Sequence, residues 1–197
     1  GAGVGVANPL ACGGAGGLRG GNGTFGSAIT VGSHVVLSPG NSPGTLTFTA
    51  GLTLAGGGTL EFQVQDATGS PGAGYDLLSV SGAPLTVSAA PGNVFTLVLQ
   101  SLDAGGNPGG AMNFNAANTY SWTFATSSGG IAGFAASAFI LDASSFAGTL
   151  GGTFDVAETG NSLVINFTPA AVPEPSSLLL LAVGLAATLA IGVRRRI

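Results

Sequence analysis

The 197-residue chain has no lysine, one histidine, one cysteine and one methionine, and its charged residues amount to 6%, against about 25% in an ordinary soluble domain. Each shortage closes off a class of function. Before residue 172 the cations reduce to Arg19, set against Glu61, Asp66, Asp76, Asp103, Asp142, Asp155 and Glu158. A body this poor in cations cannot neutralise a run of phosphates, so nucleic acid is not expected as a partner. The lone Cys12 allows neither an intrachain disulfide nor a cysteine-based zinc site. His34, the sole histidine, stands beside Val35 and Val36, where it reads as a strand-edge residue, not as a general base. The carboxylates are scattered singly, without the local pairing that acid–base chemistry on a polysaccharide needs. We therefore expect no catalytic residue, no metal site and no cofactor.

What the chain has in quantity is glycine, 36 residues, with 10 prolines. Leu, Ile, Val and Phe still supply about 27% of the sequence, above the roughly 20% below which a chain cannot bury enough apolar surface to offset its ordering entropy. Glycine at this density weakens helix interiors and suits short strands joined by tight turns. Alternation with period two is the dominant pattern. In Thr45-Leu46-Thr47-Phe48-Thr49 the apolar pair faces one way and three threonines the other, and Leu60, Phe62 and Val64 alternate with polar neighbours across 59–65. Further strands are expected at 29–31, 35–37, 52–54, 77–80, 85–87, 94–99, 120–124, 139–141, 154–156 and 163–167. Ser-Pro-Gly at 38–40, 42–44 and 70–72, and Gly56-Gly57-Gly58, punctuate them as turns. The fold class is all-β. The arrangement over 38–102 resembles the strand repeats of autotransporter-type passenger domains, and that resemblance implies a right-handed parallel β-solenoid; a β-sandwich is the alternative reading.

Several motifs dissolve on inspection. Gly40-Asn41-Ser42-Pro43-Gly44 fits the nucleophile-elbow spacing, but Pro43 lacks the backbone N–H that the oxyanion hole requires. The G-x-G-x-x-G at 21–26 follows no strand and precedes no helix, and no acidic residue stands where a ribose partner would. Gly72-Ala73-Gly74-Tyr75-Asp76-Leu77-Leu78 looks like a single calcium-binding nonapeptide, a type of site that needs tandem copies; Asp76 reads instead as a turn or strand-start residue. Tyr120 and Trp122, spaced by two, offer a candidate glycan-contact platform, with core packing as the stronger expectation because such aromatics normally face inward.

The carboxyl-terminal tail carries the clearest signal. Val172-Pro173-Glu174-Pro175 precedes an apolar run that ends at Val193, and Arg194, Arg195 and Arg196 follow. The prolines keep the motif extended, as a protease cleft requires. Residues 176–193 read as one transmembrane helix of marginal length, and the arginines as a basic stop held in the cytoplasm. This order closely resembles the PEP-CTERM sorting signal of bacterial surface proteins. The resemblance implies an exosortase as processing partner, a membrane-anchored precursor, and a final location at the cell surface or in the extracellular, biofilm-associated matrix.

The organisation that follows is a glycine-rich lead-in at 1–28, which is the end of a longer chain or a mature N-terminus, a β body at 29–171, and a sorting signal at 172–197. The expected function is that of a non-enzymatic structural protein of the envelope or extracellular polysaccharide matrix, with polysaccharide as its contact and the membrane engaged through the tail before processing. A carbohydrate-binding or polysaccharide-acting β-solenoid is the alternative.

Overall fold

The structure, a computed structural model, describes residues 17–40, 43–149 and 151–171. Strands, numbered in chain order, dominate it, and the one helical element among these residues is a single 3-10 turn at Ala136–Ala138. The first sheet is entirely parallel and runs β1 (Gly17–Gly21), β4 (Val35–Pro39), β7 (Thr59–Val64), β10 (Phe95–Ser101) and β13 (Phe139–Ser145). The second places β2 (Gly23–Phe25), β5 (Thr45–Phe48), β8 (Leu77–Val80) and β11 (Tyr120–Ser127) in parallel. It then ends in an antiparallel hairpin, β15 (Ser162–Thr168) next to β11 and β14 (Thr153–Thr159) at the edge. The third, also parallel, joins β3 (Ile29–Val31), β6 (Leu52–Leu54), β9 (Leu85–Val87) and β12 (Ile131–Ala132). All three sheets are open.

Every parallel pairing joins a strand to the one three places later in the chain. A parallel neighbour can be reached only through a crossover, and here the crossover consists of two strands that belong to the other sheets. Short strands and glycine turns make this possible. Gly57 has φ of 76°, a conformation that a side chain disfavours. At the next position a Cβ on Gly58 would sit 2.5 Å from the Val31 carbonyl oxygen. The Gly56–Gly58 turn is thus fixed by both torsion and space.

Alternation in sequence becomes alternation in burial. Along β10, Phe95, Leu97, Leu99 and Ser101 are buried, while Thr96, Val98 and Gln100 face out. Because pairing is in register, like residues stack on like. Ile29, Leu52 and Leu85 share one level of the third sheet, and Val31, Leu54 and Val87 the next but one. Leu46 lies beside Leu78, and Phe25 stacks on Phe48 with ring centres 5.1 Å apart. Each fully buried Leu or Phe contributes about 1.5–3 kcal/mol relative to exposure, so these columns hold the three sheets around one interior.

The expected strands are present: those at 29–31, 52–54, 77–80 and 85–87 keep their bounds, those at 45–49 and 59–65 end one residue earlier, and the rest reach further at one end or both. Among the differences, β1 and β2 lie inside the glycine-rich lead-in and β12 was not anticipated. No helix among the described residues is long and apolar enough to cross a membrane. The transmembrane helix expected at 176–193 lies outside them.

Candidate functional site

Three features of the body have a defined geometry. The first is Asp76, which immediately precedes β8 and is 1% exposed. Its two carboxylate oxygens are both occupied by backbone donors: the Gly44 N–H reaches Oδ1 at 2.8 Å, and the Gln63 N–H reaches Oδ2 at 2.9 Å. One side chain so ties the approach to β5 in the second sheet to β7 in the first. Burial pushes the Asp76 carboxyl up to about 7, the two backbone N–H bonds pull against that rise, and the Glu61 charge adds to it. With both oxygens taken by amides, the carboxylate faces the protein and not an ion. Among the described residues no cluster of metal-ligating side chains forms.

The second feature is aromatic. Trp122 is 1% exposed and its indole N–H donates to the Ala67 carbonyl at 2.9 Å. It stacks on Tyr120 at 5.4 Å, and Phe114, Phe146 and Phe154 ring it at 5.7–6.4 Å. Tyr120 is half-buried, and its hydroxyl accepts from the Asn115 N–H and donates to the Asn113 carbonyl. The pair suggested as a glycan platform therefore fastens the 111–119 loop over the interior, and Trp122 has no ring face left for a sugar. Ser121, between them, is the residue that points outward.

The third feature emerges from register. On the outer face of the second sheet, Thr24 pairs with Thr47, Thr47 with Ser79, Ser79 with Thr126, Thr126 with Ser162 and Ser162 with Thr159. A single row of six hydroxyls crosses all six strands. Their inward-facing neighbours Leu46, Phe48, Leu78, Val80, Ala125 and Leu163 are buried, which fixes the row on the solvent side. Sequence reading found the threonine alternation in β5 but not the row.

The remaining sequence candidates stay apart. His34 occupies a turn with φ of 67°, closed by a bond from the Val35 N–H to the Gly32 carbonyl, and stands exposed. Ser42 of the elbow-like motif lies outside the described residues. So do Val172, Pro173, Glu174, Pro175, Arg194, Arg195 and Arg196.

Comparison with known proteins bears on that tail. Residues 171–196 match the PEP-CTERM protein-sorting motif. The chain therefore carries an exosortase-type sorting signal, which implies export, a membrane-anchored precursor and exosortase processing. No curated protein and no solved structure matches the chain.

Proposed function

We propose that the chain is a non-enzymatic structural protein displayed at the bacterial surface, acting in the envelope or the extracellular polysaccharide matrix once its tail has been processed. The observation that carries this reading is the sorting motif at 171–196 behind a body whose regular structure, among the described residues, is strand except for one 3-10 turn. We further read the body as a right-handed three-sided β-solenoid, of the kind found in autotransporter-type passengers. The n to n+3 parallel pairing repeated in three sheets supports it, as does the strong preference of parallel crossovers for the right hand. The surface suits such a role: few charges, many Ser, Thr and Asn side chains, and hence hydrogen bonding to neutral polysaccharide that salt does not weaken. The burial of Trp122 weighs against the alternative of a polysaccharide-acting groove lined by aromatic side chains.

The decisive experiment is the intact mass and carboxyl-terminal peptide of the protein recovered from its native surface or medium. A chain ending near 173–176 supports the reading. A mass that still includes Arg194–Ile197 makes the tail a permanent anchor and overturns the processing step. Polysaccharide pull-down no stronger than that of an unrelated domain overturns the matrix contact.

A further inference from the structure

We propose that the outer face of the second sheet is an ice-adsorbing surface, with the Thr24–Thr47–Ser79–Thr126–Ser162–Thr159 row as its centre. This goes beyond the matrix reading and does not rest on it. The argument begins with spacing. Neighbouring strands lie about 4.7–4.9 Å apart, so six hydroxyls in register form a file with that repeat, about 24 Å long over five intervals. A second file lies alongside. The bonds from Ser81 N–H to the Phe48 carbonyl and from Ser128 N–H to the Val80 carbonyl continue the ladder by one position. They set Thr49, Ser81 and Ser128 side by side, two residues, or about 6.6 Å, along the strands from the first file. The result is a two-dimensional grid of hydroxyls whose shorter repeat is close to an oxygen repeat of hexagonal ice.

The chemistry of the grid favours ordered water over a sugar or a charged partner. Neither file contains a charged residue, and charges would draw water into radial shells that fit no lattice. The nearest carboxylate on this face, Asp155, stands two rows away, opposite Asn166. No aromatic ring lies in either file, so a pyranose would find nothing to stack upon. The four threonines of the first file, Thr24, Thr47, Thr126 and Thr159, each place a methyl group beside the hydroxyl, which confines the bound water without competing for its hydrogen bonds. The six hydroxyls are also free to serve water: none makes a side-chain hydrogen bond among the described residues, whereas in the adjoining file Thr49 donates to the Phe25 carbonyl and Ser128 accepts from the Gly82 N–H. A water held by each hydroxyl costs little, since a bridging water replaces a direct bond at about 0–2 kcal/mol, and the contacts act together as a multivalent array.

The test uses the full chain in detergent, with the same detergent alone as the blank. A fluorescently labelled chain is frozen slowly against a single ice crystal, and growth of ice grains is followed in parallel. We expect the label to collect on defined crystal planes and grain growth to slow. Thr47→Tyr, in the middle of the file, is expected to reduce the effect about tenfold by holding the array off the crystal. Thr53→Tyr, on the outer face of the third sheet, is expected to leave it unchanged. Circular dichroism identifies a variant that fails to fold, and Thr47→Val, which removes the hydroxyl and keeps the shape, then takes its place. Uniform exclusion of the wild-type label from ice overturns the proposal whatever the variants do. Equal loss from Thr47→Tyr and Thr53→Tyr overturns the assignment to this face. Retention of a neutral glycan that Thr47→Tyr abolishes, with no ice effect, gives the face to polysaccharide instead.

Discussion

The Gly44 amide donates to the Asp76 carboxylate at 2.8 Å across 32 residues of chain, and that bond joins the entries to β5 and β8, neighbouring strands of the second sheet. The Gln63 amide, on β7, holds the other oxygen and so pins the second sheet to the first. Glu61, on the strand that supplies Gln63, is the acidic neighbour that Asp76 feels, and Tyr75 precedes it in the chain.

This clamp makes stability depend on pH. The folded carboxyl titrates near 7, above its ordinary value of 3.8, so the native state favours the protonated acid. Stability from this group is complete below about pH 4 and falls as pH rises through 7, by a few kcal/mol at about 1.4 kcal/mol per unit. Urea unfolding between pH 5 and 8 should show the decline in the wild type. Asp76→Asn, neutral throughout, should flatten it. A slope unchanged in the variant would assign the dependence to another group.

At lower pH the sign reverses. Asn113 and Thr68 hold Asp66 below the usual carboxylate range, Asn107 and Gly105 do so for Asp103, and Ser144 for Asp142. These groups favour the folded state when ionised, and their share is lost as pH falls below 3.8. Asp66→Asn, Asp103→Asn and Asp142→Asn combined should reduce the acid sensitivity of the melting temperature below pH 4 and leave the slope above pH 5 as it was.

Trp122 is a packing residue with one polar tie. Truncation to Ala should destabilise the body by about 3–5 kcal/mol through the cavity left among Phe114, Phe146 and Phe154. Trp122→Phe, which keeps a ring and removes the bond to Ala67, should cost about 1–3 kcal/mol by leaving that carbonyl unpaired. Denaturant midpoints separate the two. Equal losses would mean that the indole bond carries all of the effect.

The tail can be tested apart from the body. Joint substitution of Pro173 and Pro175 by Ala removes the restraint that keeps the motif extended. In the native host this variant should accumulate at full mass in the membrane fraction, while the wild type appears shortened. Melting of the body should be the same for both.

Much of the fold was legible where hydropathy alternates. Strands β5, β7 and β10 follow directly from Leu46 and Phe48, from Leu60, Phe62 and Val64, and from Phe95, Leu97 and Leu99. Strand β1 was not legible because Gly17-Leu18-Arg19-Gly20-Gly21 has almost no side chains to alternate; its extension comes from pairing with Val35–Pro39. Strand β12 is too short to show a period. The burial of Asp76 depends on amides 32 and 13 residues away, which no local pattern records. The hydroxyl row was hidden for a related reason: its members recur at unequal intervals because the loops between them differ in length, and only register brings them into line. The sorting motif was the opposite case, contiguous and therefore readable at once.

The n to n+3 pairing has a consequence for how such a chain can change over time. Each strand from β4 to β10 takes its register from the third strand before it and passes it to the third strand after. Extra residues between two strands, as between β10 and β11, are absorbed outside the ladders and never shift what lies opposite what. On the solenoid reading proposed above, duplication or loss of three consecutive strands would alter the length of the body while preserving its cross-section. The quantity that selection can adjust most freely is thus reach: how far the protein extends, set in increments of one strand width.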